Sequence, residues 1–143
     1  MLVREWMTKD PITVAPNASI YEAWTLMEEQ RIRHLPVMDG ATLVGIATDR
    51  DLRLALPSPA TSLEAHELQY LLDKLPISDV MTAELMTLPP SAPLDDAARV
   101  LMRGRIGALP VTDGGALVGI LTRQDVMKAF VSQAEAEARR SAA

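Results

Sequence analysis

The chain contains no cysteine, which excludes disulfides, thiolate metal sites and a cysteine nucleophile. Its two histidines, His34 and His66, are too few for a histidine-rich zinc site. Aromatic residues are scarce: two Trp, two Tyr and one Phe. No apolar run approaches the ~18 residues that a membrane span needs. Met1-Leu2-Val3-Arg4-Glu5 places an acid and a base ahead of any apolar stretch, against a secretory signal, so a cytoplasmic location is expected. Catalytic signatures are missing too: there is no G-x-S-x-G, H-E-x-x-H, P-loop or G-x-G-x-x-G. An enzyme is therefore not expected, and no cofactor is required. Across 143 residues, 14 Lys+Arg stand against 19 Asp+Glu, a net charge of −5. Such an acidic chain is a poor binder of nucleic acid or of an anionic membrane. With 48% hydrophobic residues the composition is that of a globule, either one domain or two small ones sharing a core.

What the chain does have is an internal repeat. Residues 3–52 align with 77–126 without a gap, at a spacing of 74, with 19 identities in 50 positions. Met7-Thr8 falls on Met81-Thr82, Arg31-Ile32 on Arg105-Ile106, and Leu35-Pro36-Val37 on Leu109-Pro110-Val111. Asp39-Gly40 falls on Asp113-Gly114, Leu43-Val44-Gly45-Ile46 on Leu117-Val118-Gly119-Ile120, and Thr48 and Asp51 on Thr122 and Asp125. Ordinary composition does not hold one register over such a distance, so the chain is a duplicated unit.

Each copy predicts the order β-α-β-β-α, an α/β (α+β) class. A β-prone run opens it, Ile12–Val14 or Met86–Leu88. A helix follows, with Ser19 and Glu22 as a capping box and Ile20, Ala23, Trp24 and Met27 as its apolar stripe. The second copy repeats the stripe as Leu94, Ala97, Ala98 and Leu101, with Pro93 in the first turn. Two strands then flank an Asp-Gly turn, and a second helix starts near Thr48 or Thr122. Between the copies, Pro57, Ser58 and Pro59 stop a helix, Thr61 and Glu64 form another capping box, and Leu68, Leu71, Leu72 and Leu75 predict a linker helix over 62–74. The boundaries are 1–56 for the first motif, 57–75 for the linker, 76–130 for the second motif, and 131–143 for a helical tail whose last residues should fray. A unit of about 50 residues is marginal alone, so the two should pack their sheets about a pseudo-two-fold axis, with two related grooves between them.

The segment G-h-h-T-x-x-D, Gly45–Asp51 and again Gly119–Asp125, admits two readings. Thr as N-cap with Asp three residues on bonds the free N–H groups of a helix start. The same geometry suits a ligand: helix N–H donors and a Thr hydroxyl hold phosphate oxygens, and an Asp carboxylate accepts both hydroxyl protons of a ribose diol. Arg50 and Arg123 could neutralise phosphate. Arg31, Arg33 and His34 are either a solvated cluster or a phosphate clamp; the second copy keeps Arg105 but has Gly107 and Ala108. Pro36 and Pro110 punctuate strand entry, and a missing donor there could leave backbone groups to read a base edge. Thr13 and Thr87 are strand residues whose hydroxyls could face a groove. Trp6 and Trp24 read as core or subunit contacts, and the eight Met as core filler.

In duplicate, Met-Thr, h-T-h, L-P-V, D-G and G-h-h-T-x-x-D resemble tandem CBS domains over about residues 3–128. Arg50–Arg53, Ser58–Ser62 and the Leu-rich linker helix resemble, more narrowly, the small bacterial acetoin-utilisation CBS proteins. The resemblance implies a non-catalytic Bateman module, a homodimer that binds AMP, ADP, ATP or S-adenosylmethionine in its grooves and signals by conformational change, in energy sensing among other roles, to a protein target not identified. It assigns Asp51 and Asp125 to ribose hydroxyls, Thr48 and Thr122 to ribose or phosphate, and Arg50 and Arg123 to phosphate, beside Arg33 and His34. It assigns Ile32, Leu35 and Pro36, with Ile106, Leu109 and Pro110, to the adenine pockets beside Thr13 and Thr87. Asp49 stands where the second copy has Arg123. A carboxylate beside phosphate is unfavourable, so the groove of Thr122, Arg123 and Asp125 is expected to be the better site. The alternative is a nucleotide-free structural or dimerisation module in which these residues are only caps.

Overall fold

The computed structural model describes residues 1–57, 63–104 and 106–142. In chain order the elements are α1 (Val3–Trp6), β1 (Thr8–Lys9), α2 (Ile20–Gln30), β2 (His34–Asp39), β3 (Thr42–Thr48), α3 (Asp49–Ala55), α4 (Ala65–Lys74), a single 3-10 turn (Ile77–Asp79), α5 (Leu94–Gly104), β4 (Ala108–Asp113), β5 (Ala116–Thr122) and α6 (Arg123–Ala142). They form two compact units whose division does not follow the repeats. The central unit is Ile12–Leu85; the terminal unit joins Met1–Pro11 to Met86–Ala143.

In the central unit β2 and β3 form an antiparallel hairpin, Asp39 opposite Thr42. Gly40 has φ +60°, which fits the first place of a two-residue hairpin loop with Ala41 second. The terminal unit repeats this with β4 and β5, Asp113 opposite Ala116, and here both loop residues, Gly114 and Gly115, have positive φ. The Asp residues thus end strands and the glycines make the turns. Ser19 and Glu22 form the expected capping box on α2, with the Glu22 N–H donating to Ser19 Oγ at 3.0 Å. Ile20, Ala23 and Met27 of α2 meet Leu35, Val37, Ala47 and Leu52, together with Leu72 of α4 and Ile77, in one core. The terminal core packs Leu94, Ala97 and Leu101 of α5 on Leu109, Val111, Leu121, Ala129 and Val3. Each fully buried side chain of this size contributes about 1.5–3 kcal/mol.

The two repeats exchange their Met-Thr segments. Thr8–Lys9 of the first repeat pairs antiparallel with β5, Thr8 opposite Ile120. Thr82 of the second repeat bridges Ile46 of β3, the two exchanging N–H···O bonds of 3.0 and 2.9 Å. The matching placement of Gly45 and Gly119 in the two repeats fits this close approach. A Cβ on Gly119 would lie 2.5 Å from Met7 Sδ and 2.9 Å from the Thr8 carbonyl, and one on Gly45 would collide with Met81.

Other elements differ from expectation. Ile12–Val14 and Met86–Leu88 are single parallel bridges, Val14 to Val37 and Leu88 to Val111, not strands. Val14 donates to Pro36 O at 3.1 Å and accepts from Met38 N–H at 2.8 Å. Extending that ladder by one step would need an N–H from Pro36, which has none; Pro110 imposes the same stop in the terminal unit. Pro93 immediately precedes α5 instead of lying inside its first turn. The linker helix begins at Ala65 with Glu64 as N-cap, without a side-chain cap bond; Ser58, Pro59, Thr61 and Arg105 lie outside the described residues. α6 continues to Ala142, as the Ala, Glu and Arg content of the tail favours.

Candidate functional site

Each unit gathers its sequence-predicted site residues at one end of its hairpin. In the central unit β2 begins with His34, which pairs with Thr48, the last residue of β3. Thr48 caps α3: its Oγ1 accepts from Asp51 N–H at 3.1 Å, and its own N–H donates to Asp51 Oδ2 at 2.9 Å. The Asp49 N–H donates to Arg33 O at 3.0 Å, tying α3 to the segment before β2. The Arg50 N–H donates to Asp49 Oδ1 at 3.0 Å. The first three N–H groups of α3 are therefore all taken by protein acceptors, which leaves none of them for an anion. The Arg50 and Arg33 side chains are exposed, His34 is half-buried, and Thr13 is exposed beside the Val14 bridge.

The terminal unit repeats the cap. Thr122 N–H donates to Asp125 Oδ2 at 2.8 Å, and Thr122 Oγ1 accepts from Asp125 N–H at 3.2 Å. Arg123 N–H donates to Gly107 O at 3.1 Å. With Arg at 123 in place of Asp, nothing takes the next donor, and the exposed Gln124 N–H has no partner among the described residues. The Arg123 guanidinium lies elsewhere than the cap, with Nε donating to Ile106 O at 3.1 Å and Nη2 to Leu101 O at 3.4 Å. It thus covers carbonyls at the end of α5. Thr87 is exposed beside the Leu88 bridge.

The residues expected against adenine divide. Ile32 and Ile106 are half-buried and pack against the two cores. Leu35 and Leu109 are fully buried members of those cores. Pro36 and Pro110 are fully buried but belong to neither cluster, as strand alternation turns them to the opposite sheet face. Trp6 and Trp24 pack against the terminal and central cores respectively. What sequence reasoning missed is the Arg123 bracket on Leu101 and Ile106; an Arg at the first helical position carries no pattern that signals it.

A sequence model of the CBS domain matches residues 3–58 and 77–132. The chain belongs to the CBS-domain family. The CBS domain-containing protein YhcV of Bacillus subtilis is 34% identical over 124 residues, 87% of this chain and 81% of that one. Inosine-5'-monophosphate dehydrogenase of Staphylococcus epidermidis is 35% identical over 123 residues, 83% of this chain but only 22% of the enzyme, so the likeness is to part of a larger protein. Among solved structures, an acetoin utilization protein (AcuB) from Vibrio cholerae matches with a TM-score of 0.78 at 30% identity, over 97% of this chain and 96% of that one. The CBS domain pair of MJ0100, solved with 5-methylthioadenosine and S-adenosyl-L-methionine, matches with a TM-score of 0.77 at 30% identity, over 93% and 98%. CBSX2, solved with AMP, matches with a TM-score of 0.74 at 37% identity, over 92% and 96%. As a CBS pair the chain is a regulatory type of module, and no helix among its described residues is long and apolar enough to cross a membrane.

Proposed function

We propose that this CBS pair binds an adenosine-containing ligand, AMP, ADP, ATP or S-adenosylmethionine, and signals by a change in conformation, without catalysis. The carrying observation is the reciprocal Thr-Asp cap built identically at Thr48/Asp51 and Thr122/Asp125. Each cap engages one carboxylate oxygen, Oδ2, which leaves Oδ1 for ribose hydroxyls. AMP in CBSX2 and S-adenosyl-L-methionine in the MJ0100 pair support the ligand class. The terminal unit is the better phosphate site, because its Gln124 N–H is unclaimed whereas the Asp49 carboxylate occupies the matching donor in the central unit. Exposed Met127, Phe130 and Val131 along α6 suit a homodimer in the cytoplasm.

A thermal-shift screen with AMP, ADP, ATP and S-adenosylmethionine, with GMP as control, tests this. A ligand at about 100 times its Kd adds ~2.7 kcal/mol to stability. The expected result is a shift with one adenine ligand, reduced more by Asp125→Ala than by Asp51→Ala. No shift with any ligand leaves the alternative, a nucleotide-free module acting through protein partners. The fully satisfied first turn of α3 favours that second reading for the central unit.

A further inference from the structure

Position 49 distinguishes the units by more than charge. At the matching place in the terminal unit, the Arg123 guanidinium lies over the end of α5 and bonds Leu101 O and Ile106 O. In the central unit the Asp49 carboxylate engages its own helix instead. Its Oδ1 accepts the Arg50 N–H and its Oδ2 pairs with Arg53 at 3.5 Å. The space left open is a pocket of about 390 Å³ lined by Trp24, Met27, Glu28, Arg31, Ile32, Arg33, Asp49 and Arg53.

Its chemistry is amphipathic. Trp24, Met27 and Ile32 form an apolar wall. Three arginines outnumber two carboxylates: Asp49 pairs with Arg53 at 3.5 Å, Glu28 Oε1 accepts the Trp24 indole N–H at 2.7 Å, and Arg31 with Arg33 leaves the lining net positive. The guanidinium groups of Arg31 and Arg33 have no partner among the described residues. Arg31 is also the α2 C-cap, at φ +54° in the left-handed region, where glycine is the comfortable residue. With Arg33 it gives two uncommitted guanidinium groups in a pocket that Trp24 also lines.

We propose that this pocket binds a small aromatic phosphomonoester, the phosphate between Arg31 and Arg33 and the ring on Trp24. Guanidinium forks match phosphate oxygens in pairs, and an indole face takes a planar ring. The site is separate from the Thr48/Asp51 cap, although Arg33 borders both. Among the described residues of the terminal unit, the Arg123 guanidinium takes the corresponding place, and Ala98 and Gly107 stand where the central unit has Trp24 and Arg33.

The test uses the full chain with Trp6→Phe, so that Trp24 is the only tryptophan. The buried Trp6 indole N–H has no partner among the described residues, so phenylalanine removes no hydrogen bond seen there. Phenyl phosphate should give a saturable change in Trp24 fluorescence, with inorganic phosphate and phenol each weaker by about tenfold or more, since each keeps one half of the recognition. Arg31→Gly should weaken phenyl phosphate by at least about tenfold without lowering Tm, because the left-handed position suits glycine. Asp49→Arg, which copies the terminal unit, should abolish the response. Asp51→Ala should leave it in place even where it abolishes adenine-ligand shifts, so the two sites succeed or fail independently. No saturable response to phenyl phosphate, or an unchanged affinity in Arg31→Gly, overturns the proposal. Calorimetric titration of the unmodified chain gives the same decision if Trp6→Phe does not fold.

Discussion

Gly119→Ala tests the exchange of the Met-Thr segments. The added Cβ would lie 2.5 Å from Met7 Sδ and 2.9 Å from the Thr8 carbonyl oxygen. The sulfur can swing aside, since methionine is flexible. The carbonyl cannot, because Thr8–Lys9 is paired with β5 at Ile120 and Gly119. The strand has to retreat by several tenths of an ångström, and overpacking of this kind costs about 1–3 kcal/mol. Losing glycine's freedom in the unfolded chain returns about 0.4–1 kcal/mol. The net expectation is about 1.5 kcal/mol, which at roughly 4 °C per kcal/mol lowers Tm by about 6 °C. The assay is a thermal melt followed by amide hydrogen exchange. Protection should fall at Thr8, Asp10 and Ile120 in the terminal unit and stay unchanged at Ile46 and Thr82 in the central one. Gly45→Ala should produce the mirror result, with protection lost at Ile46 and Thr82. Adding Met7→Ala to Gly119→Ala should recover only part of the loss, because the Thr8 carbonyl remains. Unchanged Tm and unchanged protection at Thr8 and Asp10 would refute the close approach and with it the exchange.

Four further outcomes follow from the site geometry. Thr122→Ala should cost about 1 kcal/mol as a lost N-cap, measurable by denaturant unfolding whether or not any ligand binds. Arg123→Ala should cost about 1 kcal/mol through the bonds to Leu101 and Ile106, whereas Asp49→Ala should stay within about 0.5 kcal/mol, its ion pair with Arg53 being largely exposed; comparison of the two melts checks this. Leu109→Ala should cost about 2–5 kcal/mol, so any loss of ligand binding in that variant must be separated from unfolding by circular dichroism. Pro36→Ala restores the N–H that the Ile12 carbonyl lacks, and amide exchange should detect a new protected site at residue 36.

The repeat and much of its internal order were legible in the sequence because their causes are local. The Ser19/Glu22 box, the α2 and α5 stripes and the hairpins each depend on residues within a few positions of one another, and each occurs where those residues stand. The Met-Thr exchange was not legible. A two-residue strand has no periodicity, and its partner lies more than a hundred residues away, at Ile120. The only trace was a glycine in the middle of each L-V-G-I strand, which reads equally well as a bulge. Ile12–Val14 had strand composition, but the donor missing at Pro36 limits pairing to one bridge. At the site, Thr48/Asp51 and Thr122/Asp125 are legible, since a capping box is a local pattern. Leu35 and Leu109 were placed by resemblance against a ligand, whereas strand alternation turns both into the cores.

The caps also bear on how a ligand could act. A helix start already satisfied by its own side chains does not need a ligand in order to fold, so ligand binding there has to work through what the cap leaves over. In the terminal unit the remainder is the Gln124 N–H and Asp125 Oδ1, both at the start of α6. In the central unit Asp49 has consumed the corresponding donor, and the remainder is Asp51 Oδ1 alone. A single difference between the copies, Asp49 against Arg123, therefore removes a phosphate donor from one helix start and at the same time uncovers a pocket ringed by Arg31, Arg33 and Arg53. If both copies took the same ligand in the same way, Asp49→Arg would improve the central site by freeing the Arg50 N–H. If the copies have divergent tasks, the same substitution closes the arginine pocket while the adenine ligand still prefers the terminal unit. One variant, titrated with an adenine nucleotide and with phenyl phosphate, separates these cases.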